Sequence, residues 1–357
     1  MQRKDNRLDF SGQEIYVGLD TGKKSWKVTI LTRDFEHKTF TQPPRPEALV
    51  GYLRKHFPGA KYLCVYEAGY FGFWIHESLS KQGVECSVVH PADVPTKDKE
   101  RRNRNDQVDA RKLAHNLRSN QLTPLYVPAR SAQEDRSLVR MRTQMVKKQT
   151  RCKNQIKAHL SFYGIVIPDE LSRSHWSGHF IDWLENLDMQ QDSGKQALQA
   201  LLRELRNLRQ LIAQVTQQIR NLARQEPYAT QVSYLRSVPG IGPLTAMILL
   251  TEIVDINRFR NLDHLASYVG LIPGEDSSGD TEKTTGISYR RNGHLRALLV
   301  ECIWVAVRKD PALMMSFGKL SKRMHKNQAI VRIARKLLNR IRYVLKHQEF
   351  YETCVVQ

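Results

Sequence analysis

Asp20, Glu67, Asp106 and Asp109 are the residues of this 357-residue chain whose types and placement could act on a phosphodiester. Asp20 closes the apolar run Ile15-Tyr16-Val17-Gly18-Leu19, and Glu67 closes a second run, Leu63-Cys64-Val65-Tyr66. Each reads as an acid at the end of a strand. Asp106 and Asp109 open the helical segment Asp106–Ala114, where a spacing of three puts both on one face. Taken singly, each acid has a plainer role as a cap or solvated turn residue, and Asp106 reads equally as the N-cap of its helix. Gathered together, they would repel one another unless a divalent cation, Mg²⁺ or Mn²⁺, neutralised them. Such a cluster could hold that cation against a phosphate.

The surrounding pattern says which elements must bring the acids together. Ile15–Asp20 and Trp26–Leu31 read as a hairpin, with a third strand at His37–Thr41. Pro46–Phe57 reads as a helix stopped by Pro58-Gly59, Tyr62–Glu67 as a strand, Phe73–Lys81 as a helix and Glu85–His90 as a strand. Lys97–Arg104 reads as a charged loop. Strands followed by helix–strand alternation predict a three-layer α/β domain with a mixed sheet over residues 13–125.

Residues 131–226 change to a coiled-coil helical region. Leu198, Leu201, Leu205, Leu208, Ile212, Val215, Ile219 and Leu222 form a heptad seam. Leu138, Met141, Met145, Cys152, Ile156 and Leu160 form a weaker one, and an insert lies between them near 163–195. Two long helices of this kind could pair as an antiparallel hairpin or with another protomer. Residues 231–348 read as a third, mainly helical unit.

Two further motifs lie in that third unit. Val238-Pro-Gly-Ile-Gly-Pro-Leu-Thr-Ala246 has the form of a helix-hairpin-helix, in which Gly240 and Gly242 would offer backbone N–H groups to a phosphate. Ser277-Ser278-Gly279 lies in a polar loop and on local chemistry is a turn; a Ser–His arrangement with His294 has no sequence rule behind it.

Charge points the same way. Against 36 Asp and Glu stand 56 Lys and Arg, a formal +20, which in a protein of this kind most often serves a polyanion. Between Arg136 and Lys157 the chain carries Arg140, Arg142, Lys147, Lys148, Arg151 and Lys153 without one acid. Between Asp310 and Glu349 there are ten Lys/Arg and again no acid. There Ile330, Ala334, Leu337, Ile341 and Leu345 make an apolar stripe, leaving Arg332, Arg335, Lys336, Arg340 and Arg342 to face out. Mixed signs are the rule for a merely solvated face, so nucleic acid is the better reading of both stretches. No apolar run approaches the ~20 residues that span a bilayer. Cys64, Cys86, Cys152, Cys302 and Cys354 are scattered singly, which predicts a reduced cytoplasmic chain without structural zinc.

In this order the motifs resemble the DEDD-type insertion-sequence transposases, also called bridge-RNA-guided recombinases and related to the pilin-gene invertase. The resemblance covers nearly the whole chain. It rests on Val17-Gly-Leu-Asp20, Tyr66-Glu-Ala68, Asp106-x-x-Asp109-Ala110-x-x-Leu113-Ala114, Pro239-Gly-Ile-Gly242, Ser278-Gly279 and Gly286-Ile-Ser288. It implies a RuvC-like, ribonuclease-H-like N-terminal domain, a coiled-coil middle and a C-terminal transposase domain. It further implies that Asp20, Glu67, Asp106 and Asp109 bind Mg²⁺ and that Ser278 attacks DNA to form a covalent phosphoserine link.

The partners it implies are target and donor DNA, a structured non-coding guide RNA that reads sequence, and further copies of the chain in a dimer or tetramer, in the nucleoid-associated prokaryotic cytoplasm. Ser277 remains an alternative nucleophile; Ser278 is preferred because it directly precedes Gly279. The segment Tyr289-Arg290-Arg291-Asn292-Gly293 departs from the family's common Lys-Arg-Gly-Asn, so Arg290 and Arg291 are expected only to touch phosphate. Two rival readings stay open: a metal-dependent junction nuclease using water, and a non-catalytic nucleic-acid scaffold with structural acids.

Overall fold

The structure, a computed structural model, describes residues 9–96, 105–172, 176–278, 281–287 and 292–353. The run Lys97–Arg104, Gly279 and residues 288–291, with Arg290 and Arg291, lie outside these. The chain divides into two compact units, Met1–Val127 and Pro128–Gln357.

The first unit is built on β1 (Glu14–Thr21), β2 (Trp26–Leu31), β3 (Glu36–Gln42), α1 (Pro46–His56), β4 (Lys61–Glu67), α2 (Trp74–Lys81), β5 (Glu85–Val89) and α3 (Asp106–Arg118). The sheet order is β3-β2-β1-β4-β5. The first three strands are antiparallel neighbours, while β4 runs parallel to β1 and β5 parallel to β4. This mixed sheet with helices on both faces is the RuvC-like architecture that the resemblance implied.

Alternation along the strands divides the core in two. Ile15, Val17 and Leu19 of β1, with Cys64 and Tyr66 of β4, pack with Leu49 and Leu53 of α1 and Ile75 and Leu79 of α2. On the opposite face Val65 and Val89 pack against Leu113 of α3. Gly18 shares that second face. A Cβ on Gly18 would lie 2.5 Å from the Ala114 amide nitrogen and still closer to the Ala110 carbonyl oxygen. The helix therefore rests on the strand backbone itself, a seat that only glycine permits.

The second unit begins with α4 (Arg130–Phe162), α5 (Gly178–Glu185) and α6 (Asp192–Leu222). Arg142 Nε donates to Thr216 Oγ1 at 2.8 Å, and ten residues along α4 the Cys152 thiol reaches the Leu201 carbonyl at 3.5 Å. Rising numbers on one helix meet falling numbers on the other, so α4 and α6 form an antiparallel hairpin within one chain. The seam is buried at Leu198, Leu205, Leu208, Val215 and Ile219, but Leu202 is buried where the heptad expected Leu201. The reason is the insert: α5 brings Phe180 and Leu184 into the same core, and α6 must bury a second face against them.

The chain continues through α7 (Ala229–Ser237), α8 (Pro243–Ile253), α9 (Leu262–Val269), the two-stranded ribbon β6 (Pro273–Ser278) and β7 (Thr281–Ile287), α10 (Gly293–Lys309), α11 (Pro311–Ser321) and α12 (Lys326–His347). The stripe Ile330, Ala334, Leu337, Ile341 and Leu345 of α12 is buried, as its spacing predicts. No described helix is long and apolar enough to cross a membrane.

The seat of α3 yields a test. Gly18→Ala should destabilise the first unit by about 2–3 kcal/mol or more, because the intruding carbon meets backbone that cannot rotate away. Denaturant unfolding of the full chain checks this, and Gly51→Ala, where an added Cβ meets nothing within 4 Å, is the control.

Candidate active site: an acidic sheet edge

Asp20 lies two residues beyond Gly18 on the face of β1 that α3 covers, and Glu67 two beyond Val65 on the same face of β4. In the parallel register Leu19 stands opposite Tyr66, so the next step along both strands sets Asp20 beside Glu67. Asp106 and Asp109 occupy the first turn of α3. Ala110 and Ala114, which sit over Gly18, follow directly behind. The packing that seats the helix thus brings its first turn to the C-terminal ends of both strands.

The charges of the other three acids all bear on Asp20. The Asp20 carboxyl is pushed up to about 6, first by burial, then by the charges of Asp106, Asp109 and Glu67, with Lys112 pulling the other way. Lys112, which the motifs alone do not single out, stands among them. Its ammonium lies 3.0 Å from Asp109 Oδ1 and 3.8 Å from Glu67 Oε1, and its side chain is only 10% exposed. A spacing of three from Asp109 put it on the acidic face of α3, which was the available signal. The N-cap of α3 is Asn105, whose side chain accepts from the Gln107 amide, so Asp106 is free of the capping role open to it in sequence.

The donor set suits a hard divalent cation: carboxylate oxygens from two strand ends and a helix start, with mutual repulsion to relieve. Among the described residues no three acidic, imidazole or thiol groups already stand together as a cation cage, and Lys112 supplies one positive charge there. The residues fit Mg²⁺ or Mn²⁺ in kind, with Asp20, Glu67, Asp106 and Asp109 the ones that would hold it.

The remaining candidates belong to the second unit. Ser278 ends β6, with its backbone opposite Thr281 of β7. His294, in the first turn of α10, has Nε2 3.5 Å from Thr143 Oγ1 of α4. Gly240 sits in the turn between α7 and α8 at φ +88°, where a Cβ would lie 2.5 Å from the Cys302 carbonyl. The turn's first glycine is thus required by packing against α10, and Gly242 is the N-cap of α8.

The expected basic residues divide by partner. Arg140 binds Glu252, Arg335 pairs with Asp263 and Arg340 with Asp310, contacts that sequence spacing could not foresee. Lys147, Lys148 and Arg151 stand exposed along α4.

The chain matches known transposase families. Residues 17–165 match a transposase family of the DEDD type named for IS110, and residues 232–319 match the transposase IS116/IS110/IS902 family. A putative transposase of Sinorhizobium fredii is 32% identical over 299 residues, 82% of this chain and 72% of that one. The transposase for an insertion sequence element of Coxiella burnetii is 27% identical, covering 77% of this chain and 75% of its own. A pilin gene-inverting protein of Moraxella bovis is 37% identical over 135 residues, 36% of this chain and 41% of that protein.

The raised Asp20 carboxyl carries a sign that can be measured. Asp20 holds its proton more tightly folded than unfolded, so its contribution is fully present below the ordinary 3.8 and is lost as pH rises through about 6. With chelator present, Asp20→Asn should therefore unfold at a higher temperature than the parent protein at pH 7.5, and the gap should close by pH 4. Calorimetry at both pH values checks it.

Proposed function

The chain belongs to the IS116/IS110/IS902 family of transposases, and from that premise we propose a DNA recombinase that cuts and rejoins strands through a serine-linked intermediate. The observation that carries the reading is the gathering of acids at one sheet edge, where Asp20 is pushed up to about 6 by burial and then by the charges of Asp106, Asp109 and Glu67. A lone cap or turn residue would have no such company.

In this reading Asp20, Glu67, Asp106 and Asp109 hold Mg²⁺, with Mn²⁺ as a substitute. The bound cation would polarise a phosphate oxygen. Ser278 supplies the nucleophile. Its oxygen bonds to phosphorus as one phosphodiester P–O bond breaks; the serine gives up its proton and the departing sugar oxygen takes one up. One phosphoester replaces another, so reversal of the same step rejoins a strand without an external energy source.

Lys147, Lys148 and Arg151 would grip nucleic-acid backbone, Arg290 and Arg291 would touch phosphate near the serine, and the Gly240–Gly242 turn would lend N–H groups. Sequence would be read by a structured guide RNA pairing with target and donor DNA, and the protein would act as a dimer or tetramer in the prokaryotic cytoplasm, at the nucleoid.

A denaturing gel tests the chemistry. Purified protein is incubated with Mg²⁺, candidate RNA and labelled DNA that traps a cleaved strand. A protein–DNA adduct is expected from the parent and from Ser277→Ala, but not from Ser278→Ala, Asp20→Asn or Glu67→Gln. Cleavage that needs Asp20 and Glu67 yet leaves no adduct would favour water as nucleophile. Unaltered activity in the acid variants would favour a scaffold.

A further inference from the structure

Among the described residues of the second unit, the most deeply buried charge lies apart from the groups assigned to DNA and to the serine step. Glu252 of α8 is fully buried. Its carboxylate accepts hydrogen bonds from Arg140 Nε at 2.6 Å and Nη2 at 2.8 Å, and from Asn292 Nδ2 at 2.8 Å. Burial pushes this carboxyl up, but the Arg140 and Asn292 contacts outweigh it and hold the group below its ordinary value. The backbone beside it is tied in as well. Tyr268 Oη donates to the Glu252 carbonyl at 3.0 Å, and Arg136 Nε to the Thr251 carbonyl at 2.8 Å.

Asn292, which follows the ribbon in the chain, belongs to the same cluster. It is the N-cap of α10, accepting from the Leu295 amide at 3.2 Å, and its own amide donates to the Tyr268 carbonyl at 3.0 Å. At the other root of the ribbon the Leu271 amide donates to the Ala266 carbonyl at 2.8 Å. The described residues on either side of the ribbon, Leu271 and Asn292, are therefore both bonded to α9, and Asn292 also to Glu252. A two-stranded ribbon is at best marginally stable alone, so the chain on either side of it bears on its placement.

A buried ion pair is weak evidence for stability, since apolar groups of similar size often serve as well. What this one supplies is direction, because each carboxylate oxygen is aimed at a named donor.

We propose that Glu252, with Arg140 and Asn292, is a positioning clamp that fixes the C-terminal root of the ribbon carrying Ser278 and so sets the aim of the serine. The catalytic half of this proposal rests on the serine reading; the mechanical half does not. Glu252 touches no DNA in this role and is a positioning residue.

Two variants of the full chain test it. Asn292→Ser keeps an oxygen to cap α10 but has no amide to offer Glu252. Glu252→Gln keeps the shape and removes the charge. Hydrogen–deuterium exchange followed by mass spectrometry should show amides of residues 273–287 exchanging about tenfold faster or more in both, with α7 and α8 unchanged. Adduct formation on DNA should slow by about 10- to 100-fold while DNA affinity stays the same, as expected for a misaimed nucleophile.

Unchanged ribbon exchange would overturn the clamp, and so would faster exchange across the whole unit, which is the mark of general packing. Faster ribbon exchange with an unchanged adduct rate would overturn its catalytic half. An absence of adduct from the parent protein would instead strike the serine reading, and the exchange result, which needs no DNA, would still judge the clamp.

Discussion

Four carboxylates that repel one another are held in a single field, and what holds them is backbone resting on backbone. The first turn of α3 reaches the strand ends only because Gly18 lets Ala110 and Ala114 settle against β1. A side chain at that point would lift the helix and carry Asp106 and Asp109 away from Asp20. The Asp20 carboxyl is pushed up to about 6, first by burial and then by the other acids, and Lys112 is drawn in between Asp109 and Glu67. One ammonium cannot neutralise four acids. A hard divalent cation among the same oxygens would do so more completely.

The strands, the acids at their ends and the buried stripe of α12 were legible because each is written in short-range periodicity. An apolar run closed by Asp or Glu announces a strand with a polar tip, and an Asp-x-x-Asp spacing announces one face of a helix. What was not legible depends on partners brought from afar. Lys112 shares the face of Asp109 in sequence, but only the sheet edge turns it toward Glu67. Asn105 and Asp106 are adjacent capping residues, and where α3 starts decides between them. Leu202 is buried because α5 packs where the heptad alone leaves solvent. Arg140 lies 112 residues from Glu252, and no local pattern joins the two.

The distribution of positive charge follows the same logic. Uniformly basic stretches look in sequence like a single polyanion-binding surface. Folding divides them: Arg140 and Arg340 meet the buried acids Glu252 and Asp310 and help to build the second unit, Arg335 pairs with the exposed Asp263, and Lys147, Lys148 and Arg151 remain exposed on α4. An arginine committed to a buried acid is costly to remove for structural reasons. Loss of DNA binding in such a variant would say little about contact with DNA. The exposed lysines are the cleaner probes of the polyanion.

In the proposed reading the acids of the first unit form a divalent-cation site in competition with Lys112. Calorimetric titration of Mn²⁺ into the full chain, compared with its Asp20→Asn and Lys112→Met variants, tests that claim directly. Saturable binding is expected, weaker in Asp20→Asn and tighter in Lys112→Met. No saturable binding by the parent protein, or binding that neither variant alters, would contradict it.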